Sequence, residues 1–248
     1  MCKRLWRHKN RHVRYRLCIR PFQQHNGTTN NSLLFFSKHG AGSQVLSTTC
    51  PILLVQGECV TVPSDGWCVW ITGLPGSGKS VVSEALLILL EKEDIHAQLL
   101  SSDALRKVLT PKPTYSLEER NIVYATLVYI ARLLTQNGVN VIIDSTGNLI
   151  CYRESARRQI PNFMEAYLNC PLTICMEREA RRRETHNAPK LIYAKAMKSK
   201  SSTVPGVGQS YESPINPETA IDTTRYTPEQ VAQKIFQRLL EKFQQPES

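Results

Sequence analysis

Residues 70–80 read WITGLPGSGKS, and this stretch decides the fold. The segment from Gly73 to Ser80 satisfies the pattern G-x-x-x-x-G-K-[ST] in full, and it follows the apolar run WCVWIT at 67–72. Such a short run is typical of a buried parallel strand, and the nearly all-apolar residues 80–93 predict a central helix. A phosphate-binding loop between a strand and a helix therefore organises this part of the chain.

Each residue type in the loop has a physical task. Glycines allow backbone conformations that are closed to residues with a Cβ atom, so that successive N–H groups can face the phosphates. Lys79 brings a positive charge to the β- and γ-phosphates of ATP, and Ser80 offers a hydroxyl to Mg²⁺. The helix that follows points its positive dipole end at the same anion. The predicted nucleotide-binding loop consists of Gly73, Leu74, Pro75, Gly76, Ser77, Gly78, Lys79 and Ser80.

Strands and helices alternate beyond the loop. Capping signals support two of the helices: Ser116 and Glu119 form a capping box, Gly138 ends the helix that they begin, and Thr227 precedes the last helix. Such alternation predicts right-handed crossovers and a mostly parallel sheet covered on both faces, the three-layer α/β/α fold of P-loop NTPases. The predicted strands are 96–102, 139–145, 162–170 and 219–224, and the helices are 115–138, 151–160, one after Pro171 and 228–243.

The positive charge is concentrated at the N-terminus. Residues 1–57 contain nine lysines and arginines and no acidic residue, whereas 22 basic and 21 acidic residues follow from Glu58 onward. We therefore expect residues 1–60 to be a basic, disordered leader and 61–248 to be the folded domain. An organellar targeting peptide and a nucleic-acid-binding arm are alternatives for the leader. Residues 46–62 are expected to add an edge strand or to pack loosely before the domain.

The cysteines and the apolar runs exclude other classes of protein. Eight cysteines show no CxxC pair and no spacing of metal ligands, so we expect free thiols in a reducing compartment. No apolar run approaches the roughly 18 to 20 residues that are needed to cross a bilayer, so no membrane association is expected. The protein is expected to be cytoplasmic, with organellar targeting by the N-terminus as the alternative.

Two aspartates follow predicted strands on the side of the sheet where the loop lies. Asp103 comes just after the second strand, with Arg106 three residues further on, and Asp144 ends the strand VIID. A carboxylate at this edge can hold Mg²⁺ through water, or it can orient and deprotonate an attacking hydroxyl. Structural roles remain the alternatives, as a helix N-cap for Asp103 and a buried carboxylate for Asp144. No NKxD-like guanine-binding motif follows, which favours a small-molecule kinase over a GTPase.

Further segments with chemical character follow the phosphate loop GLPGSGKS in order. They are LLSSDALR (99–106), TYSLEERN (114–121), YRESARRQI (152–160), FMEAYLNCPLTICMER (163–178), LIYAKA (191–196) and SYESPINPETAIDT (210–223). Together with the loop they resemble the adenylylsulfate kinase family between about residues 60 and 243, in one order and without large gaps. LLSSDALR resembles the family pattern L-D-G-D-N-x-R, and SYESPINPETAIDT, which resembles P-Y-E-x-P-x-N-P-E-x-x-x-D-T, is the most specific segment.

The resemblance implies roles for individual residues. Asp103 would activate the ribose 3′-hydroxyl or hold Mg²⁺ through water, and Arg106 and Arg120 would bind the phosphosulfate of adenylylsulfate. Tyr115 stands where the family has a phenylalanine that stacks on the substrate adenine. The family also implies that Arg178 borders the ATP site and that Lys195 approaches the phosphates from a mobile lid at 183–209.

Five positions depart from the family pattern. Ser101 and Ala104 replace an aspartate and an asparagine, so one of two family carboxylates is missing. Val123 stands in place of an asparagine, Gly147 in place of a serine, and Val204 in place of a second adenine-stacking aromatic. Most of these positions belong to the acceptor side of the predicted site.

The sequence therefore predicts an ATP- and Mg²⁺-dependent kinase that phosphorylates the 3′-hydroxyl of adenylylsulfate. Lys79 and Asp103 are the predicted catalytic residues, and Ser80 and Asp103 the predicted metal ligands. The alternatives are a related kinase with a sugar, nucleoside or polynucleotide acceptor, and a nucleotide-binding regulatory protein without turnover. The resemblance also implies a homodimer, and a nucleic acid partner is not expected.

Overall fold

The computed structural model describes residues 52–55, 58–61, 65–182, 188–198 and 203–243, and the chain divides into two units, Met1–Val62 and Pro63–Ser248. In the first unit, β1 (Ile52–Val55) and β2 (Glu58–Thr61) pair antiparallel as a two-stranded sheet of their own. Of the two expectations for residues 46–62, the edge strand is wrong, because β1 and β2 pair with each other and not with the five-stranded sheet. The predicted leader lies mostly outside the described residues.

The second unit is built on five parallel strands in the order β4-β5-β3-β6-β9. A short two-stranded pairing, β7 with β8, lies outside this sheet. The strands are β3 (Cys68–Thr72), β4 (Ala97–Ser101), β5 (Asn140–Asp144), β6 (Phe163–Asn169), β7 (Val204–Pro205), β8 (Gly208–Gln209) and β9 (Thr219–Asp222). The predicted parallel sheet is confirmed, with strand ends within about two residues of those expected.

Helices cover both faces of the sheet, so the central strands β3 and β5 are buried on both sides. In β3, Val69 and Ile71 face a cluster that includes residues of α1 and α7, whereas Cys68 and Trp70 face a cluster with α3 and α4. The helices are α1 (Lys79–Lys92), α2 (Ser102–Leu109), α3 (Leu117–Gln136), α4 (Ile150–Gln159), α5 (Leu172–Arg181), α6 (Ile192–Lys198) and α7 (Pro228–Phe243). The predicted three-layer α/β/α arrangement is confirmed.

The helix after the loop is less buried than its composition suggests. Val82, Leu86 and Leu90 of α1 are buried, but Ile88 is 53% exposed. The predicted helix is confirmed and is central on one face only, since α1 packs that face on the sheet and α7 and leaves the other open.

The caps follow the sequence only in part. Thr227 and Gln230 exchange both hydrogen bonds of a capping box, and Gly138 takes a φ of 76° after α3. The Ser116 hydroxyl accepts a hydrogen bond from the Glu119 N–H, as predicted, but the Glu119 carboxylate binds other partners. The sequence did not predict α2 and α6, which have only eight and seven residues and are therefore too short for an apolar period to identify a helix.

Two expectations about class can be compared with the described residues. None of their helices is long and apolar enough to cross a membrane. The four cysteines with described side chains, Cys68, Cys151, Cys170 and Cys175, are free, as predicted. The remaining cysteines lie outside the described side chains.

Candidate active site

A cavity of about 720 Å³ lies at the carboxyl ends of the central strands. The register places Asp144 of β5 beside Ser101 of β4 and beside Ile71 of β3, so the segments that leave these strands meet at one edge. Ligands of open parallel sheets bind at this edge. The phosphate loop follows β3, and α2 follows β4, so both reach the cavity directly.

The backbone of the phosphate loop is shaped by glycine. Gly76 has a φ of 84°, and a Cβ atom there would lie 2.3 Å from the carbonyl oxygen of Cys175. Gly78 has a φ of 101° and directly precedes α1. Any other residue at Gly76 would meet both a strained conformation and a backbone clash. The loop residues that line the cavity are Pro75, Gly76, Ser77, Gly78, Lys79 and Ser80.

Two predicted loop residues act from outside the cavity. Gly73 has a φ of 152°, and a Cβ atom there would lie 2.7 Å from both the Leu168 carbonyl oxygen and the Ser77 hydroxyl. Leu74 packs against a small apolar cluster that includes Cys175 and Tyr193. These two residues support the loop rather than line the cavity.

Hydrogen bonds to the phosphate loop hold the Lys79 side chain. Its Nζ donates hydrogen bonds to the carbonyl oxygens of Gly73 and Leu74, both at 3.0 Å. Burial lowers the pKa of Lys79, while the charges of Asp144 and Asp103 act in the opposite direction. The ammonium group therefore sits in a desolvated place between carbonyl oxygens and two carboxylates, where an anion gains more from it than in water.

Asp103 lies in the first turn of α2, but it is not the N-cap. The cap is Ser101, whose hydroxyl accepts a hydrogen bond from the Ala104 N–H at 3.3 Å. Asp103 lines the cavity, and burial raises its pKa, with Lys79 and Arg106 acting to lower it. The serine that replaces a family aspartate thus caps the helix and leaves the Asp103 carboxylate for the cavity.

The donor set fits a magnesium ion that is held mainly by phosphates. Ser80, Asp103 and Asp144 all line the cavity, and Asp144 is 8% exposed. No group of three or more histidine, cysteine or acidic side chains with metal-site geometry occurs among the described residues. Mg²⁺ commonly takes only one or two protein ligands and completes its shell with water and phosphate. Ser80 and these aspartates would therefore be sufficient.

The three residues that the resemblance assigns to the acceptor, Arg106, Tyr115 and Arg120, lie together at the cavity. Arg106 is 6% exposed and pairs with Glu119. The Tyr115 ring lies 4.9 Å from the Arg106 guanidinium carbon and 5.9 Å from that of Arg120. Tyr115 has a φ of 56°, a conformation that a residue with a bulky side chain seldom adopts.

Arg120 joins three segments of the chain. Its Nε donates to the Tyr115 carbonyl oxygen at 3.1 Å, and its terminal nitrogens donate to Asn148 Oδ1 at 3.5 Å and to the Thr203 carbonyl oxygen. The guanidinium lines the cavity although the residue is only 5% exposed. Arg120 is therefore held in place by neutral acceptors, and its charge is not paired with a carboxylate in these hydrogen bonds.

The other two predicted residues, Arg178 of α5 and Lys195 of α6, also line the cavity. Arg178 donates to Thr223 Oγ1 at 3.1 Å and to the Thr223 carbonyl oxygen at 2.8 Å, which joins α5 to the segment after β9. Lys195 of α6 lines the cavity and is exposed. The Tyr193 hydroxyl donates to the Pro75 carbonyl oxygen at 2.9 Å, so α6 is attached to the phosphate loop.

The departures from the family pattern have different structural meanings. Val123 is fully buried in the core, and a Cβ atom at Gly147 would lie 2.8 Å from the Trp70 ring. A serine could not occupy position 147 without displacing that ring. Val204 lines the cavity, so its replacement of an aromatic changes the wall of the site itself.

Sequence reasoning missed part of the cavity wall. Ser145 and Thr146 follow β5, and Thr223 follows β9, so the rule that parallel strands present sites at their carboxyl ends could have found them. Arg182 and Tyr124 carry no comparable signal. The lining residues that were not predicted include Ser102, Tyr124, Ser145, Thr146, Arg182, Thr203, Thr223 and Tyr226.

Comparisons with known proteins agree with the geometry. The family model described as adenylylsulphate kinase matches residues 65–222. A probable adenylyl-sulfate kinase from Pyrococcus abyssi is 33% identical over 177 residues, which cover 71% of this chain and 97% of the relative. A second one from Archaeoglobus fulgidus is 35% identical over 63% of this chain and 96% of its own length.

Among solved structures, the APS kinase of Mycobacterium tuberculosis in complex with AMPPNP and APS is similar with a TM-score of 0.64 and 30% identity. The match covers 72% of this chain and 99% of that protein. The phosphate loop, the cavity and the matched segments thus point the same way, and the chain belongs to the adenylylsulfate kinase family.

Proposed function

We propose that the protein transfers the γ-phosphoryl group of ATP to the 3′-hydroxyl of adenylylsulfate and releases ADP and 3′-phosphoadenylylsulfate. The observation that carries this proposal is that one cavity joins the phosphate loop and Asp103 to a pair of buried arginines, Arg106 and Arg120. One end suits a nucleoside triphosphate, and the other suits a second oxyanion-bearing substrate.

The chemistry would be positioning and charge neutralisation. The loop N–H groups and Lys79 would hold the β- and γ-phosphates, while Arg106 and Arg120 fix the phosphosulfate so that the 3′-oxygen faces the γ-phosphorus. The new bond joins that oxygen to phosphorus, the bond to the ADP oxygen breaks, and Asp103 accepts the hydroxyl proton. Mg²⁺, when bound by Ser80 and Asp103, would supply neutralisation of the phosphate charge.

Residues 183–209 would act as a lid, and the structure describes 188–198 and 203–209 of this segment. Arg178 would border the ATP side, Tyr115 would stack on the acceptor adenine, and Lys195 would approach the phosphates from α6. An exposed lysine that lines the cavity, on a helix bound to Pro75, supports this assignment for Lys195. Closure of such a lid would exclude water, which otherwise competes for the phosphoryl group.

The alternative is a kinase with a different acceptor, and the position of Val204 is the observation that favours it. Val204 lines the cavity where the family resemblance places a second stacking aromatic, so the acceptor pocket lacks that aromatic surface. A sugar, a nucleoside or a polynucleotide end would then replace adenylylsulfate. A nucleotide-binding regulatory protein without turnover is a third possibility for the same site.

The remaining partner assignments are also part of the proposal. We expect a homodimer in the cytoplasm, with organellar targeting by residues 1–57 as the alternative, and no nucleic acid partner. Size-exclusion chromatography with light scattering measures the oligomeric state. Deletion of residues 1–57 followed by an activity assay shows whether that segment contributes to turnover.

An acceptor screen tests the function directly. The purified chain with ATP and Mg²⁺ is assayed with adenylylsulfate, gluconate, adenosine and an oligonucleotide, and the product is identified by mass. ADP release that depends on adenylylsulfate, with a 3′-phosphorylated product, is the expected result. Turnover with another acceptor only would establish the alternative kinase, and ATP binding without turnover would establish the regulatory protein.

A further inference from the structure

We propose that Glu119 is a positioning residue, which holds Arg106 and Tyr115 in the arrangement that receives the phosphosulfate and adenine of the acceptor. The inference rests on the proposed function for the identity of that acceptor. Glu119 itself is 8% exposed and lies one residue before Arg120 on α3. It would act on the substrate through the side chains that it holds.

Both carboxylate oxygens of Glu119 are fully engaged. Oε1 accepts hydrogen bonds from Arg106 Nη1 and, at 3.4 Å, from Thr110 Oγ1. Oε2 accepts from the Thr114 N–H, from Thr114 Oγ1 at 2.8 Å and from the Tyr115 N–H at 3.1 Å. Two of these partners are backbone groups, so the carboxylate fixes the path of the chain between α2 and α3 as well as a guanidinium.

The Glu119 carboxylate does not make the hydrogen bond that its position in a capping box predicts. In a capping box, the third residue of the helix returns a hydrogen bond to the N–H of the cap residue. Here the Ser116 N–H binds Thr114 Oγ1 at 3.3 Å instead, although Ser116 still caps the helix. The Glu119 side chain turns toward the cavity residues, which a helix cap alone does not require.

The Glu119 carboxylate with its hydrogen bonds to Arg106, Thr114 and Tyr115, here called the clamp, affects all three acceptor-side residues. Glu119 binds Arg106 directly and holds the backbone of Tyr115, whose φ is 56°. The Tyr115 carbonyl oxygen in turn accepts from Arg120 Nε at 3.1 Å, and both guanidinium groups flank the Tyr115 ring. Loss of the clamp would therefore loosen two arginines and the stacking ring together.

The direction in which the KM for adenylylsulfate changes distinguishes a positioning role for Glu119 from a direct electrostatic effect of its charge. Glu119 is a negative charge next to a site for an anion, so its removal alone should strengthen binding of the phosphosulfate. Positioning predicts the reverse, because a free guanidinium and a loosened loop lose entropy when the substrate orders them. Glu119→Gln tests this sign, since it keeps the shape and removes the charge.

Glutamine cannot satisfy the same surroundings. The Arg106 guanidinium and the two backbone N–H groups can only donate, and the amide of glutamine offers one acceptor oxygen and one donor group. If the glutamine NH₂ group faced Arg106, it would oppose the guanidinium N–H groups. If it faced the other way, it would oppose the backbone N–H groups of Thr114 and Tyr115. Burial would raise the pKa of Glu119, but hydrogen bonds from Thr114 and Tyr115 and the Arg106 charge lower it, so the native side chain is ionised.

The experiment measures kinetics and amide exchange on the full chain. We expect Glu119→Gln to raise the KM for adenylylsulfate about tenfold or more, while the KM for ATP stays within about twofold, and to speed exchange of the Thr114 and Tyr115 amides. Glu118→Gln is the matched control, because it removes an exposed carboxylate from the same helix turn. Glu119→Asp, which keeps charge and acceptors, should recover part of the loss.

Each outcome decides the proposal. An unchanged or lowered KM for adenylylsulfate in Glu119→Gln, unchanged amide exchange, or an aspartate variant no better than glutamine would overturn it. If Glu119→Gln does not fold, Thr114→Val removes one donor to Oε2 and should raise the same KM about threefold; no change there would also overturn it. Absence of adenylylsulfate turnover in the unsubstituted chain refutes the proposed function instead, and amide exchange still decides whether Glu119 holds the loop.

Discussion

The two ends of the cavity are built in different ways. The end proposed to bind ATP, the donor end, consists largely of backbone, with eight consecutive residues whose glycine conformations set the loop and whose carbonyl oxygens hold Lys79. The end proposed to bind adenylylsulfate, the acceptor end, depends on side chains from separate segments: Glu119 binds Arg106 and the Tyr115 N–H, and Arg120 donates to Asn148 and to the Thr203 carbonyl oxygen. The first is a local structure, and the second exists only after the chain has folded.

This difference predicts how each end responds to substitution. A backbone-built loop fails when one functional side chain is lost or when a Cβ atom is added, and its neighbours cannot compensate. A side-chain network can lose one hydrogen bond and shift, so its failures should be graded and confined to one substrate. The following variants test this contrast.

Lys79→Ala should have the largest effect on activity. The ammonium group is the cation within the loop itself, and its loss should reduce kcat by about a thousandfold or more. Because burial lowers the pKa of Lys79, its charge is held at a cost in folding free energy, and the variant should be no less stable than the parent. Steady-state ADP release and thermal unfolding measure the two quantities.

A conservative donor-end control is Ser77→Ala. Ser77 Oγ is buried and makes no hydrogen bond within the described residues, so its loss should change kcat far less than that of Lys79. A thousandfold loss in Ser77→Ala as well would show that the loop fails generally and that the charge of Lys79 is not the cause.

Substitution of the two aspartates should come next in size. Asp103→Asn is expected to lower kcat by at least about a hundredfold, because the amide cannot accept the hydroxyl proton. Asp144→Asn, at the end of β5, should lower kcat less and raise the Mg²⁺ concentration needed for half-maximal rate. Near-native turnover in Asp103→Asn would contradict the assignment of that residue, and a reversed order would transfer the base role to Asp144.

The contrast also explains what the sequence could predict. The sequence predicted the phosphate loop because contiguous residues encode it, and it predicted the position of Asp144 because the strand that ends there has a recognisable apolar pattern. Asp103 was placed by its position after a strand, but the N-cap at Ser101 was not foreseen, because serine and aspartate cap helices equally well. The fold class followed from the alternation of elements.

The rest depends on tertiary contacts that no local pattern reveals. Glu119 matched a capping box, and only the folded chain shows its carboxylate bound to Arg106 and to the Tyr115 N–H. Gly147 was interpreted as a replaced serine, but the Trp70 ring occupies the space that a side chain would need. The Arg106 and Trp70 side chains lie 13 and 77 residues from Glu119 and Gly147 in the sequence, and neither contact could be predicted from spacing.

Arginine-to-lysine substitutions should separate the two ends. Arg120→Lys keeps the charge and loses the planar fork, so we expect the KM for adenylylsulfate to rise about ten- to thirtyfold with little change for ATP. Arg178→Lys removes the paired bonds to Thr223 and should raise the KM for ATP by a smaller factor. Steady-state titration of each substrate measures both, and equal changes in the two KM values would contradict separate ends.

Glu218→Gln should leave both ends unchanged and weaken only the fold, which makes it the smallest effect on activity. The Glu218 carboxylate accepts from Arg157 at 2.6 Å, from Lys242 and, at 2.7 Å, from the Glu165 N–H. It joins α4, α7 and β6 away from the cavity. Because the amide offers one acceptor oxygen in place of two and carries no charge, the free energy of unfolding should fall by about 1 to 2 kcal/mol at pH 7, with both KM values within twofold.

The pH dependence of that loss tests its cause. Burial would raise the pKa of Glu218, but the hydrogen bonds from Arg157 and Lys242 lower it from 4.5 to about 2. A lowered pKa stabilises the fold above the ordinary pKa, and this stabilisation disappears as the pH falls from 4.5 toward 2. The free energies of unfolding of the parent and of Glu218→Gln, measured with denaturant, should therefore converge as the pH falls through this range. Glu241→Gln is the control, because Glu241 is exposed and pairs with Arg238. Its free energy of unfolding should differ from that of the parent by less than about 0.5 kcal/mol at every pH. A difference for Glu218→Gln that stays constant down to pH 2 would mean that packing, and not the charge, joins these elements.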